Sequence, residues 1–445
     1  MPQYFGYRLL DIARIFCEIW TGVFSCFNSP CMHFTYPTIL LLAAAFIILN
    51  LVASRFAARF GAPTLLTTLA IGLSFGNGGL YDFYYNYPKH TLHISELALC
   101  VIIFAGGFES NWKSVRPILW QGISLATLGV LLTMLTVGAL AHWLLAWPWL
   151  QALLLGAVVS GTDAAAVFSI LENSKLKLNT GVREVLELES GANDPMAFFL
   201  TLTLSALMVP AAAEANSFFL AGDFIWTMLV GLGTGALAGK FILLLVHRIP
   251  LKRGQFPIVL LAWVVILYAG NDILGGSAFL AVYVAGIILG NAPWVQRDIN
   301  VHFFESLSWL METMLFLILG LQVNVFGLPG VMWEGLLLAF LLIFVARPLG
   351  VFTALSFFKK VKWRTKAFYA WVGLRGATPI VFALIPVVAK VPHAMEILNI
   401  AFIIVIVSIL VQGTTVGRAA KITGMGKVKE NTKGKMANST PSQQR

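Results

Sequence analysis

VVSGTDAAAVFSI, residues 158–170, and LELESGANDPMAFFLTL, residues 186–202, decide the reading of this 445-residue chain. Each sets an aspartate, Asp163 or Asp194, inside an apolar stretch and surrounds it with helix-breaking or polar residues. A carboxylate at mid-membrane costs at least ~2.5–3.5 kcal/mol on insertion scales, so a chain that carries two puts them to use.

The flanking stretches are membrane spans. The chain is 58% apolar and only 11% charged, where a soluble domain carries about 25% charged residues. Its apolar runs have the length of helical crossings, not the alternating ten-residue pattern of a β-barrel. The fold class is an all-α polytopic membrane protein with about 13 transmembrane helices, at 36–54, 61–76, 92–108, 118–142, 148–171, 185–210, 222–246, 256–272, 276–291, 303–321, 332–354, 363–389 and 396–416. Most of the 30 Lys and Arg fall in the loops after odd-numbered spans and in the tail. The opposite loops hold only Lys89 and Lys390, with Arg8 and Arg14 before the first span. The positive-inside rule then sets the C-terminus in the cytoplasm and the N-terminus outside. The net charge of +10 is thus a topology signal, and no nucleic-acid partner is expected. Residues 1–35 form an external segment whose cysteines make no CxxC pair; a start at Met32 would serve equally well. Residues 417–445 are expected to be a disordered cytoplasmic tail.

Thirteen spans divide as six, one and six, and the odd connecting span turns the halves into an inverted repeat. Span five, with SGTD, then corresponds to span twelve, with WVGLRGATPIVFALIP. Both are expected to be discontinuous crossing helices, and such pairs mark transport sites. Where they unwind, half-helix dipoles need balancing charges, for which Asp163 and Arg375 are well placed.

In span six, Ser190 and Asp194 stand four residues apart and share a face, and Glu189 and Asn193 share the next. Pro195 cannot donate to the Gly191 carbonyl, which is freed beside Asp194. With Asp163 and Thr162 these groups make an all-oxygen set suited to a hard monovalent cation or a proton. If both ions compete for the same oxygens, and only the loaded carrier can reorient, an antiporter results. Plainer readings stand beside this one. Asp163 could be a buried helix cap, Asp194 an ion-pair partner of Arg347 or Arg375, and Ser190 and Thr162 partners for backbone groups. Glu189 is read as the structural partner of one of those arginines. Glu96, Glu109, Asp272 and Glu312 are read as solvated or structural.

FAGGFESN, SGTDAAAVFSIL, LESGANDPM and GLRGATPI together resemble the NhaP-like branch of the cation/proton antiporter superfamily, which also holds the sodium/proton exchangers. The resemblance covers about residues 36–416, and SGTDAAAVF and ESGANDPMAFFLT are most similar to bacterial potassium/proton antiporters. It implies a homodimer. A core built from spans around 118–210 and 332–416 would move against dimerisation spans around 36–108 and 256–321. It further implies that Asp194 binds cation and proton, assisted by Asp163, Thr162 and Ser190. Glu189, Asn193, Arg375 and Arg347 would support the site. Asn at position 193 implies electroneutral exchange of Na+ or K+ for H+. No enzymatic chemistry and no cofactor are expected; the setting is the cell membrane, a bacterial inner membrane. A cation channel and, remotely, an intramembrane aspartyl protease are the competing readings, though no filter loop and no GxGD motif is present.

Overall fold

The computed structural model describes residues 36–59, 64–80, 85–173, 176–209, 217–248, 252–292 and 297–428. The expected external segment and the last part of the tail lie outside the described residues. The described chain is a packed array of helices. These are α1 (Tyr36–Arg59), α2 (Thr64–Phe75), α3 (Pro88–Glu109), α4 (Trp112–Leu145), α5 (Trp149–Val158), α6 (Ala164–Asn173) and α7 (Thr180–Leu207). They continue with α8 (Ser217–Arg248), α9 (Phe256–Leu274), α10 (Ala278–Gly290), α11 (Arg297–Gln322), α12 (Val325–Ala354), α13 (Trp363–Trp371), α14 (Thr378–Val388) and α15 (Ala394–Thr423). Seven are long and apolar enough to cross a membrane, and five shorter apolar helices accompany them. This is a multi-pass membrane protein.

Local chemistry sets the helix ends. Pro88 opens α3, where its missing N–H costs nothing. Gly275 takes a left-handed conformation (φ 70°) to close α9, and the Ser277 side chain then accepts from the Leu280 N–H to start α10. Small residues let helices approach closely, the usual means of packing in lipid. A Cβ on Gly72 of α2 would lie 2.9 Å from the Gly320 Cα of α11.

The two crossings expected to be discontinuous are so. Span five is α5 and α6 with an unwound Gly161–Asp163 between them; span twelve is α13 and α14 with an unwound stretch around Gly373–Gly376. The halves also share a feature that no sequence pattern revealed. A widened π-turn interrupts α4 at Leu125–Gly129, and another interrupts α12 at Leu342–Ala346, the corresponding span of the second half. The crossing sits in the most buried part of the molecule, where α14 is enclosed from Thr378 to Pro386.

One expectation fails at the end of the chain. The segment from 417 is not wholly a disordered tail: α15 runs on to Thr423, with Val416 and Ala420 buried against the protein and Lys421 exposed. Beyond Gly424, strand β2 (Gly426–Val428) pairs antiparallel with β1 (Leu176–Leu178), which lies between α6 and α7. Counting basic residues hid an amphipathic turn whose apolar side is covered.

Candidate ion-binding site

Two unwound stretches meet at the centre of the fold and answer each other's backbone groups. The Asp163 N–H donates to the Leu374 carbonyl at 2.8 Å. This satisfies backbone that neither helix can satisfy internally, as a low-dielectric interior demands. The Asp163 Oδ1 accepts from the Ala166 N–H at 3.1 Å, and the Ser190 Oγ of α7 accepts from the Ala164 N–H at 3.1 Å. Carboxylate and hydroxyl together cap the positive end of α6.

The opposite charge guards the opposite helix ends. Arg375 is only 1% exposed; its Nε donates to the Val159 carbonyl just past α5, and its Nη1 to the Gly373 carbonyl just past α13, each at 2.8 Å. One guanidinium thus serves the negative ends of both half-helices, a task suited to its rigid fork of donors. α15 holds the arginine in place. Ser408 Oγ accepts from the Arg375 N–H at 2.9 Å and donates to Gln412 Oε1 at 2.6 Å, while Gln412 Nε2 donates to the Trp371 carbonyl at 2.7 Å.

α7 stays helical through Pro195 and brings the second aspartate to the crossing. Asp194 is buried beside the unwound Gly161: a Cβ there would lie 3.3 Å from Asp194 Oδ1. Among the described residues that oxygen has no hydrogen-bond partner, and neither has the Oδ1 of Asn193. The Asn193 Nδ2 donates to Thr162 Oγ1 at 2.6 Å and lies 3.5 Å from the Thr162 carbonyl. Asp163 retains some accessible surface, and its second carboxylate oxygen lies so close to Gly376 that a Cβ there would collide with it. The arrangement offers two carboxylates, a hydroxyl and an amide oxygen around one point, with two buried acceptors unanswered. Unanswered buried oxygens are costly, and a cation or a proton would relieve that cost.

The sequence-derived residues sort into three groups. Asp163, Thr162, Ser190, Asn193 and Asp194 come together at the crossing. Glu189 pairs with Arg347 at 2.6 Å, both nearly fully buried, and Arg347 Nη2 reaches the Tyr369 carbonyl at 3.3 Å. This closes the choice between the two arginines, and Asp194 pairs with neither among the described residues. The cap reading of Asp163 and the backbone reading of Ser190 hold for the atoms named. Ser408 and Gln412 were missed, although two polar residues four apart in an apolar span were visible. Glu312 stands mid-way along α11, near enough to Asp163 to feel its charge. Glu96, by contrast, accepts from the Tyr268 hydroxyl at 2.9 Å, as a structural carboxylate should.

The family profile described as "Sodium/hydrogen exchanger, transmembrane" matches residues 41–422. The chain belongs to the sodium/hydrogen exchanger family. It is 40% identical over 385 residues to a protein of a Shewanella species named K(+)/H(+) antiporter NhaP2, covering 86% of this chain and 66% of that relative. The chain therefore spans a little under two thirds of the length of such relatives. It is also 28% identical over 358 residues to Na(+)/H(+) antiporter 1 of Methanocaldococcus jannaschii, covering 76% of this chain and 80% of that protein. Among solved structures it resembles the sodium proton antiporter MjNhaP1 from the same archaeon, with a TM-score of 0.76 at 24% identity over 86% of this chain and 98% of that one. That likeness concerns the fold.

Proposed function

We propose that this exchanger-family member is a secondary antiporter that trades one Na+ or K+ for one H+ by alternating access. The observation that carries the reading is the unpartnered carboxylate oxygen of Asp194, buried at the meeting of two unwound helices. Asp194 is the carrier of cation and proton. Asp163, Thr162, Ser190 and Asn193 complete the shell; Arg375 and the Glu189–Arg347 pair keep the two breaks and the site helix in register. Uncompensated, the buried carboxylate makes the empty carrier costly to reorient; loaded with either ion, it is not. Asn193 spends its amide on Thr162 and adds no charge, so Asp194 exchanges one positive charge for another and transport is electroneutral. The core spans 118–210 and 332–416 move against 36–108 and 256–321 of a homodimer, with the C-terminus in the cytoplasm. The protease reading is disfavoured because Asp163 already spends one oxygen on the α6 cap.

The test is dissipation of a preset pH gradient in everted vesicles on addition of sodium or potassium. Exchange is expected in the wild type and lost in Asp194→Asn, with assembly and thermal stability kept. Wild-type exchange by Asp194→Asn would refute the site, and dependence of the rate on a clamped voltage would refute electroneutrality.

A further inference from the structure

Of the acidic residues embedded in the helices, some are answered and some are not. Glu189 has Arg347, and Glu96 has the Tyr268 hydroxyl. Glu312 sits fifteen residues into the 26-residue α11, where an ionisable group is costly. Yet no hydrogen bond or ion pair ties it to any described residue, and it keeps accessible surface. In this it resembles Asp194, and a carboxylate held without a partner is a functional group by default.

The spacing along α11 shows where that space leads. Asp298, Glu305 and Glu312 recur at seven-residue intervals. In a helix this sets them on one stripe, each about 10.5 Å further along the axis. Exposure falls along the stripe: Asp298 and Glu305 are exposed and Glu312 is partly buried. At its outer end lies a cavity of about 350 Å³ whose lining includes Asp298 and His302 of α11, Glu109 of α3, and Arg183, Glu184 and Glu187 of α7. Carboxylates outnumber cations on its wall, and the Glu184 Oε2, nine-tenths buried, has no hydrogen-bond partner among the described residues. At the inner end, Glu312 feels the charge of Asp163. The stripe therefore leads from an acidic mouth toward the site, along a helix from the half of the protein that does not carry the aspartates.

We propose that Glu312 is a transfer carboxylate: it takes a partly dehydrated monovalent cation from the mouth at the Arg297 end of α11 and hands it to the Asp163–Asp194 site. The proposal rests on the antiport reading above, and under the orientation proposed there the mouth is cytoplasmic. Glu312 is a carboxylate rather than an amide because a cation leaving bulk water needs a compensating charge in a low-dielectric passage. Held on α11, it stays behind when the loaded core moves.

The experiment compares wild type, Glu312→Gln and Glu312→Asp, with sodium or potassium added from either face of oriented vesicles. Glu312→Gln is expected to raise the half-saturating concentration from the cytoplasmic face about five- to tenfold and to change the maximal rate less than about twofold. From the opposite face, half-saturation should stay near the wild-type value, and Glu312→Asp should recover most of the loss. A merely structural glutamate would not show this sidedness. Unchanged half-saturation in Glu312→Gln would overturn the proposal, as would an equal loss from both faces without recovery by aspartate. Absence of exchange in the wild type would refute the antiport reading itself, and this inference would fall with it.

Discussion

Removing Arg347 while keeping Glu189 should damage the protein far more than removing both. The pair meets at 2.6 Å, with the two side chains 3% and 1% exposed, so no water can replace the guanidinium. Arg347→Met keeps much of the side-chain volume beside Gly373 but leaves Glu189 as an uncompensated buried charge, a loss of about 3–5 kcal/mol. It also removes the long 3.3 Å donation to the Tyr369 carbonyl, a further ~1 kcal/mol. Adding Glu189→Gln deletes the charge. What remains is the carbonyl and imperfect packing, about 1–2 kcal/mol, so the double variant should be more stable than Arg347→Met by roughly 2–5 kcal/mol. Denaturant titration in detergent micelles, followed through the fluorescence of the 13 tryptophans, reads all three variants and the coupling between the sites. A double variant no more stable than Arg347→Met would show that Glu189 finds another partner and refute the reasoning. Transport by the double variant then asks a separate question, whether the pair only holds α7 in place.

Two other perturbations follow from the geometry. Gly376→Ala puts a methyl group against the Asp163 carboxylate; overpacking of this kind costs about 1–3 kcal/mol, and cation half-saturation should rise together with the loss of thermal stability. Normal values of both would mean that Asp163 turns aside freely. Ending the chain after Gly424 removes β2 and the 3.0 Å donation from the Asn179 N–H to the Met425 carbonyl, each lost backbone bond being worth about 0.5–1.5 kcal/mol. Hydrogen exchange should accelerate at Leu176–Asn179 and not in α15, and unchanged protection at those amides would refute the pairing.

Much of this fold was legible because lipid leaves a chain few choices. Runs of apolar residues had to be helices. Glycine, threonine and aspartate in mid-span had to mark a break, as Gly161–Asp163 does. What could not be read depends on distance between segments remote in sequence. Glu189 was legible as the partner of Arg347 or Arg375, and only the packing shows that Arg347 meets it while Arg375 meets two carbonyls. A carbonyl partner leaves no trace in the sequence, since every residue has one. Glu312 was passed over because its own surroundings, WLMETMLF, are ordinary span, and whether a remote group answers it is a matter of packing. The π-turns are likewise silent, because a single extra residue in a turn needs no special side chain. β1 and β2, three residues each, are too short for any alternation to show.

The bond from Arg375 to the Val159 carbonyl joins residues 216 positions apart, and this bears on how the protein is made. When the ribosome has delivered α5 and α6, the break between them has no guanidinium to cap α5 and no Leu374 carbonyl for the Asp163 amide. Those groups must wait, solvated or shielded by other means, until nearly the whole of the second half has been synthesised and inserted. The proposed ion site is therefore among the last parts of the molecule to close, and the first half alone cannot complete it. A nascent chain stalled before residue 375 should remain open at its centre, a target for quality control, however well its apolar helices have entered the bilayer.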